Sequence, residues 1–92
     1  MYVILVYDIC TDTDGKKILP KIFKICKKYL THIQNSVFEG EVSPSQLKQL
    51  KMELSKHIRK TEDSLIIFKS RQEKWLDKEY LGIEKDETDN FI

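Results

Sequence analysis

The chain has 92 residues, 40% of them hydrophobic and 34% charged, with a net charge of +1. That length makes one domain with a thin core, burying only about 60–65% of its unfolded surface, and the composition excludes a disordered chain. The apolar run Tyr2 to Tyr7 is far short of a membrane span, and Asp8 ends it too early for a signal peptide, so the expected setting is the cytoplasm with no membrane contact.

Tyr2 to Tyr7 is rich in β-branched and aromatic residues and predicts a strand. Its alternate residues, Tyr2, Ile4 and Val6 against Val3, Leu5 and Tyr7, are apolar on both sides, as in a central strand covered on both faces. Asp8 closes that strand and is either a turn residue or a ligand. Thr11 to Gly15 reads as a turn, with Thr13 or Asp14 able to cap the helix that follows. From about Lys16 to Leu30 the apolar residues Ile18, Leu19, Ile22, Phe23, Cys26, Tyr29 and Leu30 recur with helical period. Pro20 leaves the start of this helix open, because it cannot donate a helix hydrogen bond.

Thr31 to Val42 lacks a helical period and predicts extended chain, split by a tight turn at Asn35-Ser36 into strands near 31–34 and 37–42, or else one bent strand. Ser43-Pro44-Ser45-Gln46 has the pattern of a capping box with proline at the first helical position. The helix after it turns Leu47, Leu50, Leu54 and Ile58 inward, with His57 beside the stripe, and Thr61-Glu62-Asp63 ends it. Ser64 to Lys69 predicts a second buried-type strand, and Gln72 to Asp77 a short helical or irregular piece. Glu79 to Ile83 predicts a short last strand. The domain is expected over 1–84, followed by an acidic tail over 85–92. Cys10 and Cys26 form no zinc or redox pattern and are expected as buried, reduced thiols.

The order β-α-β-β-α-β is that of a ferredoxin-like α+β fold, with two helices on one face of a four-stranded antiparallel sheet and an extra C-terminal strand. The other sheet face is then open. Leucine and tyrosine of the first strand, together with Trp75, Tyr80 and Leu81, suggest that a second copy covers it, with the last strand extending the partner's sheet.

Charge is divided along the chain. Residues 1–60 hold eleven Lys/Arg and six Asp/Glu, and residues 61–92 hold five and nine. A basic body favours polyanionic partners, although lysines on solvated helix faces read the same way. No nucleophile triad, glycine-rich phosphate loop or His/Cys zinc cluster is visible. Asp8 remains, with Asp12 and Asp14 as turn and cap residues and Lys16, Lys17 and Lys21 nearby as candidates for contact with nucleic acid. Magnesium usually takes one or two carboxylates and keeps its waters or substrate phosphates. One Asp8 is a poor site; two, facing each other across a homodimer, make a reasonable one for activating water against a phosphodiester.

The runs Tyr2 to Ile9 (YVILVYDI), Tyr29 to Gly40 (YLTHIQNSVFEG), Asp63 to Lys69 (DSLIIFK) and Tyr80 to Lys85 (YLGIEK) resemble the CRISPR-associated protein two family. The resemblance spans nearly the whole chain, and the Gln34-x-Ser36-Val37-Phe38-Glu39-Gly40 run is its most specific part. It implies a homodimer through the open sheet faces, with Asp8 of each subunit binding a shared Mg²⁺ or similar ion as metal ligand and catalytic residue. It implies association with the CRISPR integrase (CRISPR-associated protein one), with RNA and with duplex DNA, and metal-dependent endoribonuclease activity in spacer acquisition. A dimeric scaffold that cuts nothing is the alternative, and a toxin-type ribonuclease resembling virulence-associated protein D is a third. Lys16 and Lys17 stand where the family often has arginines, and His32 where it often has an aromatic or basic residue; phosphate contact stays open to all three. Phe38 reads as a packing residue of the dimer seam, with stacking on a base as the other option.

Overall fold

The structure is a computed structural model, and it describes residues 1–82. The elements are β1 (Tyr2–Asp8), α1 (Thr13–Tyr29), β2 (Thr31–Gln34), β3 (Val37–Glu41), α2 (Pro44–Ser55) and β4 (Ser64–Ser70), then a 3₁₀ turn at Glu73–Trp75. The four strands form one sheet in the order β2-β3-β1-β4, antiparallel throughout. This is the expected ferredoxin-like arrangement.

β1 is paired on both edges. Leu5 lies between Phe38 and Ile67, and Asp8 is paired with Ser64. Because side chains alternate along a strand, Val3, Leu5 and Tyr7 turn toward the helices while Ile4, Val6 and Asp8 turn away. The helix side is the core, where Val3, Leu5, Tyr7 and Phe38 meet Ile22 and Cys26 of α1 and Leu47, Leu50 and Leu54 of α2. Burying each large apolar side chain here is worth about 1.5–3 kcal/mol. Leu5 and Tyr7 therefore do not belong to the open face; its apolar residues are Tyr2, Ile4 and Val6, with Ile66 and Phe68 of β4 half-exposed at 51% and 54%. β4 is in this sense only half the buried strand that its composition suggests.

α1 is capped neither by Thr13 nor by Asp14. Asp12 is the N-cap, accepting from the Gly15 N–H at 2.7 Å. Pro20 lies inside the helix on its exposed side, so the missing donor leaves a carbonyl facing solvent. α2 begins with the expected capping box, in which Ser43 Oγ accepts from the Gln46 N–H and Gln46 Oε1 from the Ser43 N–H. It ends at Ser55, so Ile58 packs on the core from the turn after the helix. The β2–β3 turn falls at Asn35-Ser36, with Asn35 at φ 43°. His32 is buried between Phe23 and Phe38 and donates from Nε2 to the Asn35 carbonyl at 2.7 Å. It is thus a core residue steadying a turn and is closed to phosphate.

Three other expectations change. Cys26 is buried but Cys10 is exposed. Phe38 is fully buried on the helix face, 5.4 Å from the Phe23 ring and 4.9 Å from His32, which removes it from a seam formed by the open face and from base stacking. Residues 79–82 are not strand; Ile83, the domain boundary at 84 and the tail over 85–92 lie outside the described residues. Phe38→Ala is expected to lower the unfolding free energy by about 3–5 kcal/mol, read by urea titration at fixed protein concentration. A loss of a few tenths would place the ring outside the core.

Candidate active site

Asp8 is the last residue of β1, on the face away from the helices, and its side chain is exposed. Among the described residues its carboxylate has no hydrogen bond or ion pair. A shallow depression of about 180 Å³ at this strand end is lined by Tyr7, Asp8, Ile9, Leu19 and Ser36. Ser36 is there because β3 runs beside β1, and the Tyr7 N–H donates to the Ser36 carbonyl at 3.2 Å. The two most distinctive runs of the sequence, the end of β1 and the β2–β3 turn, therefore meet at one point.

The loop after Asp8 is held by groups that the sequence did not single out. The Arg59 guanidinium donates from Nη1 to both Asp12 oxygens at 2.8 and 3.0 Å. It donates from Nε and Nη2 to the two Asp63 oxygens at 2.9 Å each, and from Nη2 to the Cys10 carbonyl at 3.1 Å. Asp63, whose side chain is 0% exposed, also accepts from the N–H groups of Cys10 at 3.0 Å and Arg59 at 2.9 Å. α1 comes in against this loop at backbone contact: a Cβ on Gly15 would lie 1.6 Å from the Cys10 carbonyl oxygen, so only glycine fits.

Lys16, Lys17 and Lys21 are exposed on the first half of α1, the helix that supplies Leu19 to the depression. Among the described residues none of the three is paired. Tyr80 and Leu81 are elsewhere. The segment before them, including Leu76, Lys78 and Glu79, lies along Tyr2, Ile4 and Glu39 at the far end of β1, where Lys78 pairs with Glu39. Leu81 is 93% exposed, and the Tyr80 ring meets the Lys78 ammonium at 5.6 Å.

An unpaired, exposed carboxylate is the hard oxygen donor that Mg²⁺ takes, but one per chain is half a site. The described residues contain one group of three possible ligands, Cys10, Asp12 and Glu62. It excludes Asp8, and Asp12 already serves Gly15 and Arg59. The donor set therefore fits a divalent cation only if a second copy adds its own Asp8.

Arg59 and Asp63 could not be picked out from spacing alone, since Arg59 reaches Asp12 across 47 positions. Their electrostatics are marked. The Arg59 guanidinium holds the Asp63 carboxyl down at about 2, against the opposing effect of burial, with the Arg59 and Cys10 N–H groups assisting. The Gly15 N–H, then Arg59, hold Asp12 below the usual carboxylate range. Both groups titrate lower folded than unfolded, so their stabilisation is complete above about pH 4 and is lost as the pH falls toward 2. Urea titrations at pH 7, 4, 3 and 2.5 should show stability falling across the last three. In Asp63→Asn the fall should be shallower and the protein less stable at pH 7. An unchanged acid limb in that variant would remove Asp63 from this role.

Among the described residues no helix is long and apolar enough to cross a membrane. The family model described as CRISPR associated protein Cas2 matches residues 1–78. A relative from Fusobacterium nucleatum subsp. nucleatum, named CRISPR-associated endoribonuclease Cas2, is 59% identical over 92 residues, covering 100% of this chain and 87% of its own. One of the same name from Thermotoga maritima is 46% identical over 92 residues, covering 100% and 99%. The crystal structure of Streptococcus pyogenes Cas2 superposes with a TM-score of 0.79 at 32% identity, covering 89% of this chain and 100% of that one. A further solved structure, of a protein called cas2, gives 0.80 at 35% identity, covering 100% and 98%. With the fold, the strand-end aspartate and the Gln-x-Ser-Val-Phe-Glu-Gly turn in place, these matches assign the chain to the CRISPR associated protein Cas2 family.

Proposed function

We propose that the chain is a Mg²⁺-dependent endoribonuclease of the CRISPR spacer-acquisition machinery, active as a homodimer joined through the open sheet faces. The observation that carries this reading is the single Asp8 carboxylate, exposed and unpaired, on the same face as the half-exposed Ile66 and Phe68. Face-to-face pairing would bury that apolar surface and supply the second carboxylate. The names of the relatives, CRISPR-associated endoribonuclease Cas2, favour RNA as the substrate. Asp8 from each subunit would hold the ion, which when bound would supply charge neutralisation at a phosphodiester oxygen and a more acidic water. Lys16, Lys17 and Lys21 draw in phosphates as point charges, without the bidentate grip of arginine. Tyr80 and Leu81 contribute to contact with the partner.

A second reading is a scaffold that binds the CRISPR integrase (CRISPR-associated protein one) and duplex DNA without cutting. It is favoured by the lining of the depression, which offers no histidine, lysine or second carboxylate beside Asp8.

The test is cleavage of labelled single-stranded RNA and duplex DNA by purified protein, with Mg²⁺ and with EDTA. Wild type should cut RNA, EDTA should stop it, and Asp8→Ala should lose about 10²–10³-fold, as expected when several kcal/mol of charge stabilisation disappear. Equal cutting by Asp8→Ala would dismiss the assigned site. Phe68→Asp should sediment as a monomer and lose cleavage with it; a Phe68→Asp dimer of full activity would place the interface elsewhere. If wild type cuts nothing, yet integrase co-purification and spacer uptake survive in Asp8→Ala, the scaffold reading stands.

A further inference from the structure

Nothing in the proposed chemistry uses Arg59, yet it makes more side-chain hydrogen bonds than any other described residue. It lies between α2 and β4, partly exposed, and touches neither the Asp8 carboxylate nor the depression beside it. What it does touch lies on both sides of Asp8. Cys10 is two residues after Asp8, and both its N–H and its carbonyl are bound, the first by Asp63 and the second by Arg59. Ser64, the strand partner of Asp8, directly follows Asp63. Both backbone strands that carry the Asp8–Ser64 pair are therefore tied to one Arg59–Asp63 unit within a residue or two.

The same guanidinium fixes the start of α1. Asp12, held at both oxygens by Nη1, is the N-cap, and its carbonyl accepts the Lys16 N–H at 3.0 Å. The glycine at 15 lets the first helical turn press on the Cys10 carbonyl; a Cβ there would lie 1.6 Å from that oxygen and 3.0 Å from Arg59 Nη2. The loop and the helix start are therefore held by one fork. We infer that Arg59 is a positioning residue for the site: it sets the direction of the Asp8 carboxylate relative to the basic first turn of α1 that bears Lys16 and Lys17. Lysine cannot replace it, since one ammonium cannot span Asp12, Asp63 and a carbonyl in a planar fork. This inference rests on the reading of Asp8 as the metal-holding carboxylate.

The experiment compares Arg59→Met, Arg59→Lys and Asp8→Ala as dimers shown to be folded by circular dichroism. Both Arg59 variants should lose about 10–100-fold in kcat on single-stranded RNA, the range for removing a group that orients a ligand, and should need more Mg²⁺ for half-maximal rate. Independently of activity, amide exchange should accelerate at Cys10 and Gly15. In a further variant, Arg59→Ala, which vacates the site, millimolar guanidinium chloride should restore part of the rate, where sodium chloride at equal ionic strength does not. If Arg59→Met fails to fold, Asp12→Ser, which keeps a capping oxygen for Gly15 but removes the carboxylate that Nη1 grips and leaves the Asp63 pair, takes its place. Faster exchange with wild-type kcat and Mg²⁺ dependence, while Asp8→Ala is inactive, would overturn the inference and leave the Asp8 reading intact. Full activity in Asp8→Ala would overturn both.

Discussion

β1 is hydrogen-bonded along both edges, and that double pairing decides to which face of the sheet each of its side chains turns. β3 pairs with it over Tyr2 to Val6 and β4 as far as Asp8, and a one-residue slip against either would send Val3, Leu5 and Tyr7 out of the core. With those three locked under the helices, parity puts Asp8 on the opposite face. The position of the candidate ligand thus follows from the packing of residues that never touch it.

The same parity accounts for what was legible in the sequence. The element order, the turn at Asn35-Ser36 and the capping box at Ser43 are local patterns, and each appears where its residues stand. Phe38 needed more. Its side of the sheet depends on β3's register with β1, in which it meets Leu5, and no property of Val37-Phe38-Glu39 alone states that. The N-cap of α1 failed for a similar reason. Asp12, Thr13 and Asp14 are all good caps, and the choice falls on Asp12, the one that Arg59 also grips from 47 positions away. Ile66 and Phe68 read as buried by composition, and one chain leaves them half-exposed; a composition suited to burial can be honoured by a second molecule as well as by the chain itself.

That last point links size to association. Two helices are enough to cover one face of a four-stranded sheet, and the segment before Tyr80 shields only the Tyr2 end of the other. The uncovered part lies toward Ile66 and Asp8. For a domain with so thin a core, additional apolar burial on pairing is worth a large share of total stability. On the proposed reading the metal site and the fold therefore draw on the same surface: the face that most needs covering is the one that must pair for two Asp8 carboxylates to meet.

Charge at the strand end gives the pairing a further consequence. Arg59 is spent on Asp12, Asp63 and the Cys10 carbonyl, two carboxylates against one guanidinium, so the clasp carries a net negative charge and lends no positive field to the site. Asp8 adds another, and a second copy would double the total. A phosphodiester approaching such a place is repelled unless something offsets the carboxylates. Lys16, Lys17 and Lys21 are unpaired among the described residues, but they are exposed, and their effect at a distance is screened within about a Debye length, roughly 8–10 Å. On the proposed reading such lysines draw nucleic acid to the protein but, being solvated, offset the carboxylates only weakly. On the proposed reading a divalent cation held between two Asp8 carboxylates would do what the lysines cannot, so that the need for a metal and the need for a dimer would be one need.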